Sequence, residues 1–216
     1  MTPGVAPPAT AVLDAGLRQL GLDPDAGQRA ALLTLLDELA EANARFNLTA
    51  IRERGEMVTK HVLDSLSLQP FLAGPRVADV GTGAGFPGLP LAIVNPAWHF
   101  TLVESTGKKL RFVAQAAQAL GLTNVEAVNA RAESYRPAQP FDTVTCRAVG
   151  SLAEFIRVAG HLCRRDGRLL AMKGRYPESE LASLPRGWRA AAVHPVEVPG
   201  LDAARHVVEL VRGPAR

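Results

Sequence analysis

The sequence predicts a doubly wound α/β sheet behind a helical N-terminal lobe, on three observations. From residue 76 onward, short apolar runs alternate with amphipathic helical segments, the pattern of parallel strands joined by right-handed crossovers. The first such run, "RVADV", breaks into "GTGAGFPG" before a helix opens, a turn that gathers backbone N–H groups and a helix N-terminus around a ligand. The last two runs, "WRAAAVHPVEVPG" and "RHVVELVRG", have no helical pattern between them, so an antiparallel pair is expected to close the sheet.

The elements follow in order. The opening "MTPGVAPPATA" has the Pro/Ala content of a frayed tail and neither the basic nor the apolar region of a signal peptide. Residues 1–24 are therefore expected to be a tail, with a possible short helix near Val12–Leu20. Residues 25–75 read as a helical lobe: Leu32, Leu33, Leu35, Leu36, Leu39 and Phe46 recur at helical spacing, and a second helix is expected over "EMVTKHVLDSLSLQPFL", 56–72. Residues 76–216 carry the sheet, with strands at "RVADV", "WHFTLVE", "VEAVNA", "FDTVTCRAV" and "GRLLAMKG". The helices between them are "PGLPLAIV", opened by Pro87, then "GKKLRFVAQAAQALG" and "SLAEFIRVAGHLC".

Composition narrows the class. A chain of 216 residues holds one ordinary domain with a small appendage, and 47% hydrophobic with 21% charged residues describes a soluble protein. No apolar run approaches the roughly 20 residues of a membrane span, so no membrane partner is expected. Cys146 and Cys163 have no metal-ligand spacing, and a metal is not expected; a reducing cytoplasm fits. Residues 1–75 hold 6 Lys/Arg against 9 Asp/Glu, whereas 76–216 hold 18 against 12. Positive charge thus sits with the glycine turn, as a phosphate-bearing partner favours, although only 4 of the 24 basic residues are lysine and a GC-rich coding bias would give the same excess of arginine.

Two cofactors compete for the turn. Gly83-Ala84-Gly85-Phe86-Pro87-Gly88 spells G-x-G-x-x-G, with Glu104 about 20 residues on, as a dinucleotide site has. That reading makes the chain a nicotinamide-dependent oxidoreductase. The strand ends at Val80, however, so the pattern starts earlier, as Asp79-x-Gly81-x-Gly83-x-Gly85. An acid there repels a pyrophosphate and attracts the ammonium and sulfonium of S-adenosylmethionine, which is the favoured ligand. Glu104 suits either cofactor, because both carry ribose hydroxyls. In "ARAES", Ala132 and Glu133 follow the third strand and would flank an adenine, unless this is an ordinary surface loop.

The mouth of the fourth strand holds Cys146 and Arg147. No Asn/Asp-Pro-Pro-aromatic element for an exocyclic amine follows it; "NPAW", 95–98, lies elsewhere and reads as a turn. Cys146 would serve a pyrimidine carbon as nucleophile, but between Thr145 and Arg147 it reads as a buried strand thiol. A ring nitrogen such as guanine N7 carries a lone pair and no proton, and needs only positioning. His61 and Asp64 share a helix face without a third metal ligand, which suggests helix packing or an edge contact with the site.

With these residues in hand, the chain resembles the bacterial small-subunit rRNA guanine-N7 methyltransferase family RsmG, also called glucose-inhibited division protein B (GidB). The resemblance is carried by "FNLTAI" (46–51), "KHVLDSL" (60–66), "DVGTGAGFPGLPLAI" (79–93), "LVESTGKKLRFV" (102–113), "RAES" (131–134), "CRAVGSL" (146–152), "MKG" (172–174) and "LDAARHVVEL" (201–210). It implies a class I S-adenosylmethionine-dependent, Rossmann-like fold and methylation of N7 of one guanine in the decoding region of 16S rRNA, free or within the small subunit or an assembly intermediate, by a cytoplasmic protein, read here as a monomer. Carried over by motif, cofactor contacts fall on Gly81, Phe86, Glu104, Ser105, Thr106, Ala132, Glu133 and Arg147; Asp79 joins them on the charge argument. Lys173 and Arg175, at the end of "LLAMKG", are expected to grip RNA near the crevice, with Arg205 at the start of the closing strand, and Lys60 if the lobe covers that edge. Solvated surface charge, or an internal ion pair for Lys173, is the alternative.

Overall fold

The computed structural model describes residues 7–147 and 150–213. The tip of the expected tail, 1–6, and the last two positions of the expected fourth strand, Ala148 and Val149, lie outside the described residues.

Helix α1 spans Ala9–Gln19 and buries Leu13 and Leu17, where the sequence allows a short helix near Val12–Leu20. Gly16 lets it approach closely: a Cβ there would meet Leu63 Cδ1 at 2.2 Å. Helix α2, Ala26–Phe46, starts at a capping box in which Asp25 accepts from the Gln28 N–H and Gln28 accepts from the Asp25 N–H. It stops at Asn47, whose φ of 49° ends the helix in the left-handed region.

The single helix expected over 56–72 is instead a series of registers. Helix α3, Arg54–Met57, runs into a π-helical turn, Val58–Leu63, then α4, Asp64–Leu66, and a 3₁₀ turn, Gln69–Phe71. A 3.6-residue apolar period does not distinguish a π-turn inside a helix from a regular one.

Seven strands form one sheet: β1 Arg76–Val80, β2 His99–Glu104, β3 Val125–Asn129, β4 Phe141–Arg147, β5 Cys163–Lys173, β6 Trp188–Val196 and β7 Arg205–Arg212. Their order is β3-β2-β1-β4-β5-β7-β6. The first five are parallel, and β7 runs antiparallel to both β5 and β6, the expected closing strand. Strand β5 begins four residues before the expected start: Cys163 pairs with Phe141, a bulge follows, and Arg164 forms an ion pair with Asp142. Polar "RRD" hides this extension from an apolar pattern.

Helices α5, Gly88–Val94, α6, Gly107–Ala119, and α7, Leu152–Ala159, follow β1, β2 and β4. The N-terminal helices have no core of their own. Leu32, Leu36 and Leu66 join Leu89, Phe100, Leu102 and Phe112 in one cluster on one face of the sheet, while Phe141, Leu152 and Phe155 fill the other. Each leucine so buried contributes about 1.5–3 kcal/mol relative to exposure. The winding reverses between β1 and β4, so the ligand crevice of this topology lies at the C-terminal ends of those strands. Among the described residues no helix is long and apolar enough to cross a membrane.

Candidate functional site

At the end of β1 the chain turns through Gly81, with φ +66°, a conformation strained for any side chain. The N–H groups of Gly81 and Thr82 both donate to the Val103 carbonyl at 2.8 and 3.2 Å, which ties the turn to β2. Below it Asp79 is fully buried. Its Oδ2 accepts from Thr82 Oγ1 at 2.6 Å and from the Gly88 N–H at 2.9 Å. Gly88 is required by proximity: a Cβ would lie 2.7 Å from Leu102 Cγ.

One oxygen of the Asp79 carboxylate thus holds the turn, and the side chain has no surface on the crevice. Its other oxygen, Oδ1, is buried with no partner among the described residues. Burial pushes the carboxyl up to about 6, against the opposing effects of the Thr82 and Gly88 hydrogen bonds and of Arg147. An orphaned acceptor beneath a glycine turn fits a donor that is cationic, as the ammonium of an amino-acid end is, and does not fit a pyrophosphate.

Beside the turn lies a cleft of about 170 Å³ lined by Val80, Gly81, Glu104, Ser105, Ala132 and Glu133, among others. It is smaller than the roughly 300 Å³ at which clefts for whole drug-sized ligands begin, and suits one end of a longer molecule. Five residues expected from sequence thus meet on one wall. Glu104 accepts from the Gly83 N–H at 3.0 Å and the Thr106 N–H at 2.8 Å, one on each oxygen. Each oxygen retains a lone pair for a ribose hydroxyl. Thr106 occupies the N-cap position of α6 without a side-chain capping bond, and Glu133, half-exposed, faces Arg131 at 3.8 Å.

Phe86 and Arg147 lie on the other side of Gly81, where the N-terminal lobe meets the turn. The His61 ring stacks on Phe86 at 4.7 Å, and the Arg147 guanidinium sits 5.7 Å from the same ring centroid. His61 bonds Thr49 Oγ1 at 3.0 Å, and burial, with Arg147 beside it, pushes it down to about 4, so it is neutral at physiological pH. Asp64, almost fully buried, binds Arg147 Nη1 at 3.1 Å and Arg205 Nε at 2.8 Å. His61 and Asp64, expected to serve helix packing or an edge contact with the site, thus pack the lobe against Phe86, Arg147 and Arg205. Among the described residues no group of three or more His, Cys, Asp or Glu could hold a metal ion.

The expected RNA-gripping residues divide. Lys173 pairs with Glu180 at 2.9 Å and donates to the Gly150 carbonyl at 2.8 Å, with its side chain 16% exposed. It is an internal ion-pair partner, the alternative the sequence left open for it. Arg205 pairs with Asp64, which it shares with Arg147. Lys60 pairs with Glu56 one helical turn away, and Arg175 is exposed at the end of β5. Neither Glu180 nor Asp64 carries a local sequence signal as the partner of these cations.

Cys146 is buried in the sheet opposite Ala171, as its strand position suggested. Cys163 is also buried, which pushes its thiol up to about 12. Asn95, of "NPAW", bonds Gln69 and the Leu91 carbonyl and closes α5, an architectural role.

Comparison with known proteins bears on the family and the fold. Residues 28–208 match the family model GidB, rRNA small subunit methyltransferase G. The chain is 50% identical to ribosomal RNA small subunit methyltransferase G of Xanthomonas campestris pv. campestris strain 8004 over 202 residues, 94% of each chain. It is also 50% identical to the protein of that name from Stenotrophomonas maltophilia strain K279a, over 94% of this chain and 95% of that one. In fold it is similar to TrmN from Thermus thermophilus, with a TM-score of 0.57 and 24% identity over 80% of this chain and 52% of that one. A second neighbour is a SAM-dependent methyltransferase from Thiobacillus denitrificans in complex with S-adenosyl-L-homocysteine, with a TM-score of 0.54 and 14% identity over 81% and 98% of the two chains. The nicotinamide reading of Gly83–Gly88 is left without support. With the family model spanning most of its length and relatives half identical over 94% of it, the chain belongs to the rRNA small subunit methyltransferase G family.

Proposed function

We propose that this chain methylates N7 of one guanine in the decoding region of 16S rRNA, using S-adenosylmethionine, as a monomer in the cytoplasm. The observation that carries the cofactor reading is the buried, unpartnered Asp79 Oδ1 under the glycine turn. Bound there, S-adenosylmethionine supplies an electrophilic methyl group on a sulfonium. Asp79 would hold its ammonium, Arg147 and the turn the rest of its methionine end, and Glu104, Ala132 and Glu133 its adenosine.

What the residues do not do is equally specific. Among the described residues at the mouth, Cys146 is buried within the sheet and His61 is packed between Phe86 and Thr49. Neither stands where it would remove a proton or attack a base. A site that only binds and orients suffices for guanine N7, which has no proton to lose at neutral pH. Arg175 and Lys60 are the proposed contacts to RNA phosphate; Lys173 and Arg205 support the walls of the site through their ion pairs.

Label transfer from methyl-tritiated S-adenosylmethionine tests the reading. Small ribosomal subunits and free 16S rRNA, both from cells lacking the modification, are compared as acceptors. Label in 16S rRNA in either form supports it, and the preferred form identifies the substrate. No label in either, from a protein that binds the cofactor, contradicts it.

A further inference from the structure

Asp64 connects the N-terminal lobe to the cofactor turn. It is 2% exposed and offers one negative charge to two guanidiniums, Arg147 from the end of β4 and Arg205 from the start of β7. The π-turn sets up the geometry. The Asp64 N–H bonds the Thr59 and His61 carbonyls, which releases the Lys60 carbonyl from the regular i→i−4 ladder. Arg147 Nη1 takes up that carbonyl at 3.1 Å while it binds Asp64 Oδ2 at the same distance. One nitrogen is thus fixed by two acceptors on the same turn.

The fixed guanidinium is aimed at the cofactor turn. It lies 5.7 Å from the centre of the Phe86 ring, its charge is felt by Asp79 on the far side, and its side chain keeps 25% exposure. Two arginines on one carboxylate leave an excess of one positive charge. Of the lobe's other groups nearby, His61 is neutral and Lys60 is matched by Glu56, so the anion left to face this charge is Asp79. Around Gly81 to Phe86 the site therefore holds a partly exposed cation, Arg147, and a buried anion, Asp79, whose Oδ1 has no partner among the described residues. That pair complements the two opposite charges of an amino-acid zwitterion.

We propose that Asp64 is a positioning residue for cofactor binding: its carboxylate holds Arg147 toward the carboxylate of the methionine end and offsets the charge of Arg205 packed behind it. This rests on the S-adenosylmethionine reading above. Without Asp64 two like charges face each other, and the long Arg147 side chain loses the acceptor that fixes its direction.

The test is calorimetric titration with two ligands that share the adenosine and differ in the amino-acid end: S-adenosylhomocysteine, which has it, and 5′-methylthioadenosine, which lacks it. In Asp64→Asn, affinity for S-adenosylhomocysteine falls by about tenfold or more, the loss expected when a charge-assisted contact is misaligned. Affinity for 5′-methylthioadenosine stays within twofold of wild type. Asp64→Glu, which keeps the charge one methylene further out, shows the same selective loss to a smaller degree, and it carries the test if the asparagine variant lacks a cooperative thermal transition. Equal losses for the two ligands, or no loss for either, overturn the positioning role. Wild-type protein that gives no heat with S-adenosylhomocysteine overturns the cofactor reading itself.

Discussion

His61 stacks on Phe86 with ring centroids 4.7 Å apart and planes inclined by 24°, so the lobe's π-turn rests directly on the glycine turn. Burial keeps the imidazole neutral, which lets it serve as an aromatic surface beside Arg147 without adding a second cation. The lobe thereby packs on the turn that would hold the proposed cofactor.

Phe86→Ala tests that coupling. Phe86 is 3% exposed, and truncating a buried phenylalanine costs about 3–5 kcal/mol. We expect a urea midpoint lowered accordingly and weaker binding of S-adenosylhomocysteine in whatever fraction remains folded. An unchanged midpoint would mean that the lobe does not lean on the turn.

Asp79→Asn separates stability from binding. The Asp79 carboxyl titrates near 6 in the folded protein, above its ordinary value of 3.8, so its contribution to stability is full below about 3.8 and is lost as pH rises through about 6. At pH 8 the wild-type protein carries this cost and the asparagine variant does not. The variant should therefore be more stable at pH 8 by about 1–3 kcal/mol, with the gain vanishing near pH 4. Cofactor binding should weaken in the variant at neutral pH, and in wild type it should fall as pH drops below about 6, where the attracting charge is lost. Urea unfolding and calorimetry over pH 4–8 read both effects.

The sheet was legible because β1, β2 and β4 are apolar runs bounded by turns, and the Asp79–Gly81 spacing carries the ligand's charge in the sequence itself. The cleft beside the turn was legible for a related reason, since Gly81 and Ala132 follow strand ends and Glu104 closes β2, and the topology gathers those ends. The partners of Lys173 and Arg205 were not. Arg205 meets Asp64 across 141 positions, and Lys173 meets Glu180 only because α8, Glu178–Ala182, folds back toward the end of β5. Pairings of that kind depend on where elements dock and leave no periodic trace.

Those pairings change what salt dependence should show. Arg175→Gln should lower the salt slope of RNA binding by about 0.7–0.9, the share of one phosphate contact, while Lys173→Gln should leave the slope within error and lower the melting temperature instead. A filter-binding series across salt concentrations for each variant decides it. A slope change in the lysine variant would mean that the Glu180 pair opens for RNA.

Cys146→Ser should retain methyl transfer, because attack by guanine N7 needs no covalent intermediate. Its burial opposite Ala171 makes a modest loss of stability the expected change. Single-turnover assays that find the serine variant inactive yet fully cofactor-competent would point to a pyrimidine acceptor.

The central claim is most directly tested by the chemistry of the product. After reaction of small subunits or 16S rRNA from cells lacking the modification, borohydride reduction and aniline treatment cleave the RNA chain at N7-methylguanine, and primer extension locates the break. The account predicts one new cleavage, in the decoding region, that depends on S-adenosylmethionine and disappears in Arg147→Ala. Methyl label incorporated without any such cleavage, or cleavage scattered over many guanines, would contradict it.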